Sequence, residues 1–311
     1  MNRISRRTLL GGLGASLVAA RAEAQPKVFL DYDQDTLDRA YDQRVWAPNM
    51  DAVTRRYGVN SNAVRARLGT PKTSSYGTRA VETLDVYTTA KANGPVLVFL
   101  HGGAWRTGTA KDSAYAAPAF VHAGAHFVVP DFATVMEVGL DGMVAQVRRA
   151  VAWVAKNAAS FGGDPGRLYV SGHSSGGHLA GNVLVTDWAA DFGLPRDVVK
   201  GGICISGMYD LRGPRLSARS RYVKFDDRIE QDYSPQRHLA RLACPVIVAC
   251  GDQESPEFQR QSREFAEALT QAGRLQALIV GQGYNHFEIP ETLANPYGLV
   301  GRAALELMRL G

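Results

Sequence analysis

Leu168-Tyr169-Val170-Ser171-Gly172-His173-Ser174-Ser175-Gly176-Gly177-His178-Leu179-Ala180 is the stretch on which the fold turns. Its first four residues read as a buried strand and its last residues as the start of a helix. Between them, Gly172-x-Ser174-x-Gly176 marks a sharp strand-to-helix turn that lifts a serine out of the surface. A serine on so tight a turn takes strained dihedrals, and side chains two residues to either side would collide, so glycine is needed at both places. The helix that follows aims its free backbone N–H groups at developing negative charge. Ser174 is therefore the candidate nucleophile. Glycine and serine are common, so the weight rests on the flanking strand and helix.

Upstream, the apolar run Val96–Leu100 leads into His101-Gly102-Gly103-Ala104-Trp105. A glycine-rich loop after an early strand is the expected partner of such a turn. The N–H of Gly102 or Gly103, together with that of Ser175, forms the candidate oxyanion hole. One such donor is typically worth about 3 kcal/mol in the transition state. His101 is read as a brace for the loop.

Downstream, Gly281-Gln282-Gly283-Tyr284-Asn285-His286 follows the last apolar run. A histidine on a glycine-rich loop there is placed to act as general base at neutral pH. Of the seven histidines, only His286 has this setting. The acid belongs on the preceding loop, Gly251-Asp252-Gln253-Glu254-Ser255-Pro256. Glu254, three residues past the glycine, is favoured; Asp252 is the alternative. The chain order serine, acid, histidine is that of the α/β-hydrolase fold.

The rest of the chain agrees. Short apolar runs at 83–87, 96–100, 126–129, 168–171, 202–205, 246–250 and 276–280 lack clean two-residue alternation, as expected of parallel strands buried on both faces. Helical patterns lie between them: Met143, Val147, Ala150, Val151, Val154 and Ala158 share one face, and Ser255 with Pro256 can open another helix. The alternation predicts a mostly parallel central sheet covered by helices on both faces. Residues 25–311 are expected to form one domain, with 25–80 as an N-terminal extension. Residues 207–243, rich in arginine and aspartate, read as a small cap-like insertion.

Residues 1–24 carry Arg3, Arg6 and Arg7, an apolar run, and Ala22-Glu23-Ala24, a small-x-small cleavage pattern. This order predicts a twin-arginine-type signal and export to the periplasm. The chain of 311 residues has a net charge of +5. Without residues 1–24, which hold four arginines and one glutamate, it is +2. Nothing in that balance points to nucleic acid, or to stable membrane insertion after signal removal. Cys204, Cys244 and Cys250 read as buried small apolar residues. No H-E-x-x-H and no cysteine–histidine cluster is present, so no metal or organic cofactor is expected. Oligomeric state leaves no mark in the sequence.

These residues resemble the kynurenine formamidase (arylformamidase) branch of the α/β-hydrolases, near its BD-FAE-type and carboxylesterase-like members. The likeness is carried by the H-G-G-x-W loop at 101–105, by the G-H-S-x-G-G-H-L-A elbow at 172–180, by Ser206-Gly207-Met208-Tyr209-Asp210-Leu211, by Ser255-Pro256-Glu257-Phe258 and by His286-Phe287-Glu288-Ile289. It implies Ser174 as nucleophile, His286 as base and Glu254 in the acid position. The expected activity is hydrolysis of small carboxylic esters through an acyl-enzyme. Arylformamidase activity is the alternative, and a catalytically silent binding protein on the same fold is a third. Trp105, Tyr209, Tyr284 and Phe287 are each read either as pocket walls or as core aromatics.

Overall fold

The computed structural model describes residues 25–310; the signal segment inferred for 1–24 lies outside them. The N-terminal part forms α1 (Gln34–Ala40) and α2 (Met50–Leu68). The sheet comprises β1 (Lys72–Ser75), β2 (Thr83–Tyr87), β3 (Gly94–Leu100), β4 (His126–Pro130), β5 (Gly163–His173), β6 (Val199–Ile205), β7 (Val246–Gly251) and β8 (Leu275–Gly281). Helices α3 (Ala117–Ala123), α4 (Val135–Asn157), α5 (Ser175–Leu184), α6 (Trp188–Phe192), α7 (Arg212–Leu216), α8 (Asp227–Asp232), α9 (Pro256–Gln271) and α10 (Leu299–Leu307) connect and close it. No helix among the described residues is long and apolar enough to cross a membrane.

The strand order is β1-β2-β4-β3-β5-β6-β7-β8. β1–β2 and β2–β4 pair antiparallel, and every later pair is parallel. This is the α/β-hydrolase sheet. The apolar runs of β3, β4, β6 and β7 are strands because both of their faces are covered; the run at 276–280, expected to be buried on both faces, instead lies in the edge strand β8, which pairs with β7 alone and leaves Leu278 exposed. In β3, Val96, Val98 and Leu100 share a core with Val147 of α4, Leu179 of α5 and Phe258 of α9. The alternate residues Leu97 and Phe99 share the opposite core with Phe120 of α3 and Val300 of α10. The apolar stripe of α4 is buried from Met143 to Val154. Its first turn is set at an angle by Gly139, whose φ is +70°. In α9, Ser255 Oγ accepts from Phe258 N at 3.4 Å and Pro256 takes the first turn.

One strand has no counterpart in the sequence reading. β1 is Lys72-Thr73-Ser74-Ser75, exposed along most of its length. As an edge strand it is held by pairing to β2 rather than by burial, so it carries no apolar signal. Residues 207–243 hold α7, α8 and short 3₁₀ turns between β6 and β7.

The topology gathers the loops that build the site at one sheet edge. The chain leaves β3 for β4 and returns on the other side as β5, so β3 and β5 bracket the switch point where open α/β sheets form their sites. The loops after β3, β5, β6, β7 and β8 all open at this carboxyl edge.

Candidate active site

Ser174 stands between β5 and α5 with φ +58° and ψ −124°, a region that L-residues avoid. Its backbone N–H is anchored to Ile205 O at 2.9 Å. The glycines around it are required by space. A Cβ on Gly172 would stand 2.1 Å from Gly176 O, and one on Gly176 would stand 2.0 Å from Leu100 O. Both are contacts with backbone that cannot yield. The turn therefore wedges the Ser174 loop against the end of β3.

His286 Nε2 lies 2.9 Å from Ser174 Oγ, and His286 Nδ1 lies 2.8 Å from Glu254 Oε2. A carboxylate only accepts, so Nδ1 carries the proton and Nε2 is left to accept from the serine hydroxyl. The other Glu254 oxygen accepts from Ser206 Oγ at 2.6 Å and from Gly251 N at 2.7 Å. These bonds fix the carboxylate in a site where it is only 2% exposed. Asp252, the alternative acid, points elsewhere: its Oδ1 accepts from Gly283 N at 2.7 Å and ties the β7 loop to the β8 loop.

The loop after β3 approaches the serine closely. A Cβ on Gly102 would lie 3.1 Å from Ser174 Cβ and 2.9 Å from His173 O. The carbonyls of this loop are turned inward: Gly102 O accepts from His101 Nδ1 at 3.0 Å, and Gly103 O accepts from Arg106 N and Thr107 N, both at 3.0 Å. The N–H groups of Gly102 and Gly103 have no partner among the described residues. Ser175 N sits at the first position of α5, where a helix leaves its N–H unpaired. Gly102 and the first turn of α5 thus both lie against Ser174. Gly103, Ala104 and Trp105 all have positive φ, at 122°, 55° and 61°, so the loop is held in strain.

Three other histidines support this geometry. His101 stacks on Phe132 with ring centroids 4.3 Å apart. His173 Nε2 donates to His286 O at 2.8 Å, and so anchors the backbone of His286. Burial, with His286 nearby, holds the His173 imidazole well below its ordinary range. His178 Nε2 donates to Tyr233 O at 2.8 Å, while its Nδ1 accepts from Trp105 Nε1 at 3.2 Å. Burial pushes its pKa down to about 4.

A cleft of about 1170 Å³ opens over Ser174 and His286. Its walls come from α1, α2, the loop after β3 and residues 218–222. Phe287 is on this wall. Trp105, Tyr209 and Tyr284 are not, which corrects the reading of them as pocket residues. Trp105 turns inward to His178, driven by its strained backbone. Tyr209 is fully buried, stacked 4.0 Å from Phe265, with its hydroxyl accepting from Gly207 N at 3.0 Å. Tyr284 packs against the core beneath the β8 loop. The cleft walls that sequence reasoning missed, Tyr57, Tyr115 and Tyr222, belong to segments whose place over the sheet edge only the fold reveals.

Fold and site together define an enzyme of the α/β-hydrolase class. Residues 84–192 match the BD-FAE family model. The chain is 32% identical over 288 residues to kynurenine formamidase of Danio rerio, covering 88% of this chain and 96% of that one. It is 28% identical over 236 residues to esterase LipC of Mycobacterium tuberculosis, covering 68% and 59%. Among solved structures, an esterase of Pyrobaculum calidifontis superposes with a TM-score of 0.65 at 20% identity, covering 86% of this chain and 96% of that one. The chain belongs to the kynurenine formamidase family of hydrolases.

Proposed function

We propose that this protein hydrolyses small carboxylic esters through a covalent acyl-enzyme on Ser174. The observation that carries the reading is His286 bridging Ser174 Oγ and Glu254 Oε2 at 2.9 and 2.8 Å. In this reading His286 Nε2 removes the hydroxyl proton as Oγ attacks the carbonyl carbon. The oxyanion is met by the N–H groups of Gly102 or Gly103 and of Ser175. His286 then protonates the leaving group, and water, activated by the same imidazole, releases the acid. Residues 207–243 act as a small cap, bringing Arg219 and Tyr222 over the cleft.

A fluorophosphonate probe should label Ser174 in the native protein and leave Ser174→Ala unlabelled. That variant should lose about five orders of magnitude in kcat. Unchanged turnover would sink the reading. The alternative, arylformamidase activity, draws on the likeness to the fish enzyme along nearly its whole length. Comparing kcat/KM for p-nitrophenyl acetate and N-formylkynurenine separates the two; a large preference for the formamide would reverse our ordering.

We further propose that residues 1–24 direct export to the periplasm, on the strength of Arg6-Arg7 before an apolar run. Arg6→Lys with Arg7→Lys should retain the protein in the cytoplasm; unaltered processing and periplasmic recovery would refute this.

A further inference from the structure

Arg219 is a buried cation without a carboxylate. It is 8% exposed and lines the cleft that holds Ser174 and His286. One end of its guanidinium donates to Tyr222 Oη at 2.7 Å and the other to Tyr41 O at 2.9 Å. The group also lies 5.6 Å from the Trp105 ring centroid and 5.9 Å from that of Tyr41. Its Nε is buried with no hydrogen-bond partner. Among the described residues no carboxylate stands within ion-pair distance of it. Asp42, whose carboxyl feels the Arg219 charge, gives both oxygens to Arg44 at 2.9 and 2.8 Å.

Guanidinium stays charged at any relevant pH, and burying it beside neutral acceptors alone leaves much of its desolvation cost unmet. The surrounding cleft does not supply the missing charge. Six arginines and three aspartates line it, and Asp38 already faces Arg221 at 3.5 Å. Arg106 rests over the Tyr222 ring at 4.2 Å and has no carboxylate among the described residues. A wall with three positive charges in excess, among them a guanidinium met only by neutral acceptors, is built for an incoming anion.

We propose that Arg219 is the specificity-determining residue of the cleft, and that the substrate hydrolysed at Ser174 carries a carboxylate. The inference rests on the hydrolase reading above and adds the chemical class of substrate. A purely structural Arg219, strutting Tyr41 against Tyr222, would brace the cap without choosing between substrates.

Two matched pairs of esters test it. p-Nitrophenyl hemiglutarate against p-nitrophenyl valerate places the charge on the acyl side; 4-acetoxybenzoate against its methyl ester places it on the leaving group. The native protein should prefer the anionic member of at least one pair by about tenfold or more in kcat/KM, the scale of one charge-assisted hydrogen bond. Arg219→Gln should erase most of that ratio, chiefly through KM of the anionic member. If Arg219→Gln does not fold, Arg219→Lys, which keeps the charge and loses the fork, should retain only part of the ratio. The proposal is overturned if native protein turns over neutral esters with no preference for the anion in either pair. It is equally overturned if the variants lower both members of a pair alike. Failure to turn over any ester, with Ser174 unlabelled by fluorophosphonate, would instead strike the hydrolase reading.

Discussion

Two carboxylates two residues apart have different tasks, and the difference is geometric. Glu254 reaches His286 Nδ1 and is itself gripped by Ser206 and Gly251, whereas Asp252 reaches only loop groups, the Gly283 N–H and the Gln253 amide. Glu254→Gln keeps the shape but removes the charge that stabilises imidazolium, so kcat should fall by about four orders of magnitude. Asp252→Asn should weaken one loop hydrogen bond, costing about 1 kcal/mol of stability, with kcat within about threefold of native. Steady-state kinetics and urea unfolding of the pair check both; the reverse pattern would make Asp252 the acid. That Glu254 faces His286 was legible from its offset after a strand-ending glycine. The support given by His173 was not, because its contact with His286 O spans 113 residues and leaves no local pattern.

The turn between β5 and α5 is legible as an element because its requirement is steric and local. Gly176→Ala would force a Cβ to 2.0 Å from Leu100 O and 2.5 Å from His101 O. The end of β3 and the start of α5 would have to separate, so we expect a loss of about 3 kcal/mol or more, and reduced labelling of Ser174 by fluorophosphonate. Gly193, with φ +62° and open space for 4 Å around the place a Cβ would take, is the control: Gly193→Ala should cost only about 1 kcal/mol, from backbone strain alone. Comparable losses in urea unfolding for the two would remove the steric argument. The same contrast explains what was and was not legible elsewhere. Strands β3, β4, β6 and β7 are apolar runs because both faces are buried, and β5 is buried from Leu168 onward. β1 is polar because pairing alone holds it. An aromatic residue reports burial without saying on which side, so Trp105 could be read equally as pocket wall and as core. Its hydrogen bond to His178 at 3.2 Å, set by the left-handed backbone of residues 104 and 105, decides for core.

Across the whole molecule, several imidazoles are held neutral by burial, and this links stability to pH. His178 sits in the core with its pKa pushed down to about 4, mainly by desolvation and only partly offset by its bond to Tyr233 O. His173 is shifted the same way by burial and by His286. In the unfolded chain both return to about 6.5. Between these limits the unfolded state binds more protons than the folded one, so stability must rise with pH across that window. The contribution is complete above about pH 6.5 and is lost as pH falls through the folded values. For His178 alone the span corresponds to about 3 kcal/mol. Carboxylates held down by partners, such as Glu230 beside Arg237 and Arg215, add their own loss only at lower pH, below the ordinary carboxyl range. Between about pH 5 and 6.5 the imidazoles therefore dominate, opposed by Asp131, whose carboxyl is pushed up by burial. Urea unfolding at steps across that interval should give a free energy that climbs with pH by at least about 1 kcal/mol per unit near pH 5.5. His178→Gln should lower stability throughout, because Trp105 Nε1 loses its acceptor and Tyr233 O keeps only the Asn182 amide as donor, yet reduce the slope by up to one proton. A native slope near zero would mean that these rings are not kept neutral by the fold. An unchanged slope in the variant would assign the linkage to His173 and the remaining imidazoles.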